Sequence, residues 1–467
     1  MFTYTFQDRK TQSLYLQLYQ HIKKDITSGK LLPGEKLPSK RAAAKNLGIS
    51  VITVENAYAA LQSEGYIYSK PKKGYFVSEI STLYHAAVQK AEPAQVHLPP
   101  KPDYRYDFTS NGIIAENFPF SVWAKLMREG FHDLKQDLMM PSPAGGIPAL
   151  QEAICAHLKQ FRGMNIAPEQ VIIGAGTEYL YSLIIQLLGG EKCYAIQNPG
   201  YRKIQKIYHS VGVKTVPIAE DTNGMRASLL EASGATVAHI SPSHAFPSGT
   251  VMSISTRHEI LNWANENEQR YIIEDDYDSE FRLDGKPLPA LQSLDHAGKV
   301  IYVNTFTKSL SPTIRIGYMV LPQALAEKFY CTLGFYACTV STFEQYTLAK
   351  FISEGYFEKH INRMRNYYKK TRNRILEEIK KSPLAAISEV AEEEAGLHFL
   401  LKLNTALPDA FLKKKAAQNG VNLSFLSEYY LTDTAAAPPH ILVMNYSGIP
   451  WDAIPDAVKA LEEAIDQ

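Results

Sequence analysis

Apolar residues recur at four-residue steps from Leu14 through Leu18 and Ile22 to Ile26, the stripe of an amphipathic helix. LLPGEKLPS breaks that stripe: Pro33 and Gly34 predict a turn, and Pro38 bars continuation. Ser39 is placed to cap a second short helix ending at Leu47. Gly48 then makes a tight turn, and Ser50 caps a third helix over 51–64. GYIYSKPKKGYFV offers two short aromatic and β-branched runs around a basic tip, which predicts a two-stranded wing. Past the wing the periodicity lapses. Residues 81–105 include the proline-rich AEPAQVHLPPKPDYR and read as an extended connector. From residue 106 onward EQVIIGAG, KCYAIQNPG, GVKTVPI, TVAHISPS, RYIIEDD, KVIYVNTF and GYMVL alternate with helical stretches. That alternation predicts an α/β domain on a mostly parallel, buried sheet.

The 467 residues exceed one ordinary core, and 45% apolar with 21% charged side chains is a globular composition. Net charge is +1 but unevenly placed. Residues 1–80 carry twelve Lys and Arg against six Asp and Glu, while the remaining 387 carry 37 against 42. A basic first module on an acidic body predicts a polyanion partner for that module alone. Helix, helix-turn-helix and wing is the plan of a winged helix-turn-helix, whose recognition helix enters the major groove of DNA. The four cysteines lack metal-binding spacing and read as free thiols of a reducing compartment. No secretory signal and no membrane-length apolar run is present, so a cytoplasmic protein without a membrane partner is expected.

Chemistry-bearing residues cluster after the predicted strands, where ligands of parallel sheets lie. Gly174-Ala175-Gly176-Thr177 leads from a strand into a helical run ending at Leu188. Amides at a helix start, with the Thr177 hydroxyl, make an anion cradle, although strand-to-helix turns want glycine whatever their function. Asn198-Pro199-Gly200-Tyr201 and SPSHAFPSGT bring Tyr201 and His244 to the same edge. Asp275 and Tyr277 close YIIEDDY. An aspartate against a pyridine nitrogen keeps it protonated, and a tyrosine can bond a phenolic oxygen. The triplet Glu274, Asp275 and Asp276, taken alone, is ordinarily a solvated strand end. Lys308 follows VIYVNTF; a partly desolvated amine can form an imine with an aldehyde. Thr305, three residues before it, and Arg315, seven after, suit a phosphate. Each residue has an ordinary structural reading by itself. Their conjunction in this order does not.

The stretch LPSKRAAAKNLGIS, with its following TV, AY and EGY, resembles the GntR family of bacterial transcription regulators. The resemblance implies that Lys40, Arg41, Ser50, Thr53, Lys72, Lys73 and Gly74 face a double-stranded DNA operator. Basic groups and the wing amide would hold phosphates, and Ser50 and Thr53 would reach base edges. Where family members often carry arginines, this chain has Val51 and Glu55. Either apolar contacts such as Val51 on a thymine methyl supply specificity, or Lys40, Arg41, Lys45, Lys72 and Lys73 dominate affinity.

IIGAGTEYL, PGYRK, PSHAFPSGT, RYIIEDDYDSEF and TFTKSLSP with RIGYMVLP resemble the MocR subfamily, in which a GntR-type reader precedes a fold-type I aminotransferase-like domain. The likeness spans nearly the whole chain. It implies a winged helix-turn-helix at 1–80, a linker at 81–105 and a domain at 106–467 that binds pyridoxal 5'-phosphate (PLP), with a small subdomain from about 360. It also implies a homodimer, usually head-to-tail. Lys308 would be the Schiff-base lysine, Asp275 the partner of the ring nitrogen and Tyr277 that of the phenolic oxygen. Gly176, Thr177, Thr305 and Arg315 would hold the phosphate, and Tyr201 would join them at the cleft.

One departure bears on function. Members that use amino acids carry an arginine near the C-terminus that grips the substrate carboxylate; here HILVMNYSGIP puts Ser447 in its place. A second basic position of the family is Lys203. A lost charge-assisted partner is worth roughly 1.5–3 kcal/mol. The resemblance therefore points to a regulator that senses PLP itself and controls vitamin B6 synthesis, its aminotransferase-like domain used as a sensor. An amine or amino-acid sensor relying on Arg202 or Lys203 is the alternative, and a true aminotransferase with an appended DNA domain is the third.

Overall fold

The computed structural model describes residues 4–6, 12–79, 103–110, 112–283, 288–391, 396–432 and 437–465. The connector expected at 81–105 lies almost wholly outside the described residues. The chain divides into two compact units, Met1–Lys101 and Pro102–Gln467.

The first unit holds α1 (Leu14–Thr27), α2 (Lys40–Leu47), α3 (Val51–Ser63) and a hairpin of β1 (Ile67–Lys70) and β2 (Gly74–Val77). Leu18 and Ile22 of the predicted stripe pack on Val54, Ala57, Tyr58 and Leu61, with Ile67 and Val77 closing the core. Ser39 and Ser50 cap their helices, accepting from the amides of Ala42 and Thr53. Gly48 ends α2 in the left-handed conformation. The wing pairs Lys70 with Gly74, and Lys72 takes a positive φ of 58° at its tip.

The second unit is built on an eight-stranded sheet. After β3 (Tyr106–Asp107) come β4 (Val171–Gly174), β5 (Cys193–Asn198), β6 (Lys214–Asp221), β7 (Gly224–Met225), β8 (Val237–Ile240), β9 (Tyr271–Asp275), β10 (Val300–Thr305) and β11 (Gly317–Val320). Their spatial order is β4-β11-β10-β9-β8-β5-β6-β7. Parallel pairing joins β10, β9, β8, β5 and β6, and β11 runs antiparallel between β4 and β10. A sheet buried on both faces needs apolar residues at consecutive positions. Ile273, Ile301 and Val303 accordingly face Leu180, Ile184 and Leu187 of the helix Thr177–Leu188, while Ile272 and Val300 meet Ile260, Leu261 and Trp263 of the helix Ile254–Asn265.

The chain then continues through a 26-residue helix, Tyr356–Lys381, into a smaller three-stranded sheet. Its strands are β12 (Ser388–Ala391), β13 (His398–Leu403) and β15 (Ile441–Asn445); β14 (Val421–Asn422) pairs instead with β3. Among the described residues no helix is long and apolar enough to cross a membrane, and the cysteines are free.

Candidate functional site

The carboxyl ends of β4, β5, β8, β9 and β10 open onto a cavity of about 380 Å³. Thr177, Tyr201, Asp275, Tyr277, Thr305, Lys308 and Arg315 all line it. Strand parity explains the deepest of them. Asp275 shares its side with Ile273, which faces the helix Thr177–Leu188, so its carboxylate meets Tyr181 of that helix. Tyr181 donates to Asp275 Oδ2 at 2.6 Å. His239 Nε2 stands 3.5 Å from the same oxygen, and the other ring nitrogen of His239 lies 2.7 Å from the Tyr208 hydroxyl. Asp275 Oδ1, by contrast, is buried with no partner among the described residues. A buried carboxylate oxygen left open calls for a donor, and a protonated ring nitrogen is one.

The flanking acids are not the solvated strand end that an isolated triplet predicts. Glu274 accepts from the amides of Leu291 and Gln292 at 2.7 and 2.8 Å. Asp276 pairs with buried Arg162 at 2.9 Å and accepts from Tyr302 at 2.6 Å. Only the middle acid of the three reaches the cavity.

Lys308 lies just beyond β10. Burial pushes its amine down to about 8, a shift that Asp278 partly opposes. The Tyr277 phenol is raised well above its usual value by burial and then by Asp278 and Asp275, and stays protonated. His244, brought to the same edge as Tyr201 by the sequence reading, sits behind Tyr277 instead, 2.9 Å from Asp278 and 3.3 Å from the Tyr277 hydroxyl. Ser241 and Phe246 are the residues of that loop that line the cavity.

An anion cradle forms where β4 meets the helix Thr177–Leu188. Gly176 caps that helix at φ 86°, ψ 169°, a region open essentially to glycine alone. A Cβ there would stand 2.5 Å from Arg315 Nη2, so the guanidinium lies directly on the glycine backbone. The hydroxyls of Thr305 and Thr307 face each other at 2.7 Å. Arg315 Nη2 is 3.3 Å from Glu178 Oε2, and Lys203 pairs with the other oxygen of that carboxylate. Glu178, held below the usual carboxylate range chiefly by Lys203, thus draws both cations of the cradle together.

Tyr201 stands at the mouth, 48% exposed, its ring edge-on to Phe246 at 5.8 Å. Tyr429, edge-on to the same Phe246 ring at 5.3 Å, and Leu431 line the cavity beside it. They are fixed by Asn198, which accepts from the Leu431 amide at 2.8 Å, and by the Gly200 amide, which donates to the Tyr429 carbonyl at 3.1 Å. Ser447 is buried and is not among the lining residues.

These groups fit pyridoxal 5'-phosphate. Asp275 Oδ1 would accept from its protonated ring nitrogen, and the neutral Tyr277 phenol would donate to its ring oxygen. Thr177, Thr305, Thr307, Arg315 and the helix start would supply phosphate ligands. Bound PLP would supply an aldehyde for an amine and an electron-poor ring.

In the first unit Arg41, Lys45, Lys72 and Lys73 are exposed, and Gly74 opens β2 at φ 104°. Ser50 and Thr53 turn their hydroxyls to each other at 2.8 Å. Lys40 pairs with Glu55 at 2.5 Å and lies 5.7 Å over the Tyr75 ring. Its amine is therefore engaged within the protein.

Comparison with known proteins places both units. Residues 14–77 match the family described as bacterial regulatory proteins, gntR family, and residues 107–438 match aminotransferase class I and II. The chain is 37% identical to the HTH-type transcriptional regulator YdeL of Bacillus subtilis, covering 97% of this chain and 96% of that protein. It is 32% identical to the probable rhizopine catabolism regulatory protein MocR of Rhizobium meliloti, over 97% and 93%. The chain belongs to the MocR subfamily of GntR-type transcription regulators. Within MocR-type relatives it is also similar to the pyridoxine biosynthesis transcriptional regulator PdxR of Corynebacterium glutamicum, 27% identical over 90% of this chain and 89% of that one. The MocR large domain has the fold-type I aminotransferase architecture: kynurenine aminotransferase of Pyrococcus horikoshii superposes with a TM-score of 0.67 at 23% identity, covering 78% of this chain and 91% of that one. PLP is the cofactor of this fold, as the site's donor set requires.

Of the residues singled out from the sequence, Thr177, Tyr201, Asp275, Tyr277, Thr305, Lys308 and Arg315 line one cavity, whereas Gly176 and His244 are not among its lining residues. Tyr181, His239, Glu178, Thr307 and Tyr429 were not anticipated. Tyr181 sits inside an apolar helical run, and Tyr429 arrives from a segment more than a hundred residues beyond Lys308. Only the phase of Tyr181 on its helix, facing the strand that ends in Asp275, held a signal.

Proposed function

We propose that this MocR-type regulator senses PLP itself, captured by Lys308, and controls genes of vitamin B6 synthesis. The observation that carries the reading is a complete set of PLP-binding groups beside cations that are already committed. Among the described residues the cations lining the cavity are Lys203, Lys308 and Arg315. Arg315 suits the phosphate, Lys308 the aldehyde, and Lys203 is held by Glu178. No forked arginine is left for the carboxylate of an amino acid, and Ser447 stands buried where the subfamily would carry one. Similarity to PdxR supports the gene class.

Lys203 at the cavity mouth favours a second reading, in which an amine with an anionic group displaces Glu178 from it. The protein loaded with PLP, offered a panel of amines and amino acids, separates the two. Under the PLP-sensing reading DNA affinity changes on adding PLP and not on adding any amine; a response confined to one amine overturns it. Sustained keto-acid formation over many turnovers would instead favour the aminotransferase reading.

The protein acts as a cytoplasmic homodimer in this account. Phe335 and Met139 are 76% and 72% exposed on the lone chain, and Phe120 and Met140 are exposed as well. Large apolar side chains in such number support a protein partner.

A further inference from the structure

The recognition helix α3 presents an unusual outer face for a DNA reader. Val51, Ile52, Glu55, Asn56 and Ala59 are its exposed residues over the first two and a half turns, and Val54, Ala57, Tyr58 and Leu61 its buried ones. At 100° per residue the exposed five fall within about 140° of arc, opposite the core. That face holds one charged side chain, Glu55, and no cation.

A carboxylate there meets the phosphate field of the duplex and repels it. Two contacts counter the cost. Lys40 neutralises Glu55 through Oε1 at 2.5 Å, and Lys40 is itself steadied over Tyr75, whose ring packs edge-on to Tyr58 at 5.0 Å. Glu55 Oε2 has no hydrogen-bond partner among the described residues, and the side chain remains 53% exposed. The result is a neutralised, oriented acceptor projecting from the groove-facing side of the helix, flanked by two apolar side chains.

We infer that Glu55 is a base-reading residue that accepts a hydrogen bond from the exocyclic amine of a cytosine in each half-site, with Val51 and Ile52 packing on neighbouring thymine methyls. Cytosine is the base whose major-groove edge offers an amino donor without the adjacent acceptor of adenine, which a carboxylate would repel. Lys40 is then a positioning residue rather than a phosphate contact. The inference rests on the first unit's being a DNA reader.

The test is selection from a random duplex library by the full-length protein, run in parallel for the wild type, Glu55→Ala and Glu55→Gln. The wild type is expected to enrich sites with one fixed cytosine per half-site beside thymines. Glu55→Ala should lose selection at that position only and bind the wild-type site about tenfold more weakly, while its binding to unrelated DNA at low salt holds or strengthens. Glu55→Gln keeps the Lys40 contact and should move the preference to adenine. If all three select the same bases, Glu55 is only a strut for Lys40 and the inference is wrong. If the wild type enriches nothing, the DNA-reading role itself fails, a distinct result.

Discussion

Lys308 and Asp275 are set apart from ordinary lysine and aspartate by their surroundings. An amine titrating near 8 is about one-tenth neutral at pH 7, where an unperturbed lysine is almost wholly charged. The neutral amine is the nucleophile. The rate at which apo protein develops the visible lysine-linked PLP band should therefore climb with pH and level off above about 8, as stopped-flow absorbance can follow. Lys308→Ala should show no band at any pH. Stability carries the opposite face of the same shift. Between 8 and the ordinary 10.5 the unfolded chain holds a proton that the native state has released, so the apo protein gains stability as pH rises through that window. Lys308→Met should be more stable than wild type below pH 8, with the gap closing toward 10.5 in melting curves. Asp275→Asn keeps the shape but removes the anion, and should weaken PLP binding by roughly 1.5–3 kcal/mol in absorbance titrations. At this scale the sequence was readable wherever a reactive residue ends a buried strand, as Asp275 and Thr305 do. Glu178 and His239 were not readable, because their roles arise from partners 25 and 31 residues away, Lys203 and Tyr208.

Among the elements, the turn from β4 into the helix Thr177–Leu188 bears most directly on the cofactor. Gly176→Ala forces a side chain into a glycine-only conformation, costing on the order of 1–3 kcal/mol, and thrusts Arg315 away from the cradle. Its melting temperature should fall, and the stabilisation conferred by added inorganic phosphate should vanish. In the wing, Lys72 and Lys73 are exposed and free to meet phosphates. Replacing both with alanine should lower the salt dependence of DNA binding by about two in the log–log slope, whereas Lys40→Ala should leave that slope nearly unchanged. Elements with strong local signals were legible: the Leu14–Ile26 stripe, the two serine caps and the seven apolar runs all became the predicted helices and strands. Strand order was not, because which parallel strands adjoin depends on how helices cover the sheet. β11 slips antiparallel between β4 and β10 with nothing in GYMVL to announce it.

At the level of the whole molecule, two units that match different families share one chain, and ligand-controlled regulation requires that occupancy in one alter the affinity of the other. Such coupling needs a ligand that distinguishes two states of the protein. Under the proposed reading that ligand is PLP, because Lys203 and Arg315 of the cavity are already paired with Glu178. Sedimentation should give a dimer, and charged substitutions at Met139 and Phe335 should shift it toward monomer. The decisive measurement is the dissociation constant for a DNA duplex selected by the full-length protein, compared between apo and PLP-loaded forms of the wild type and of Lys308→Ala. The account predicts at least a fivefold difference for the wild type, roughly 1 kcal/mol of coupling, and none for the variant. Equal affinities of apo and loaded wild type would contradict it, as would an equal PLP response in Lys308→Ala.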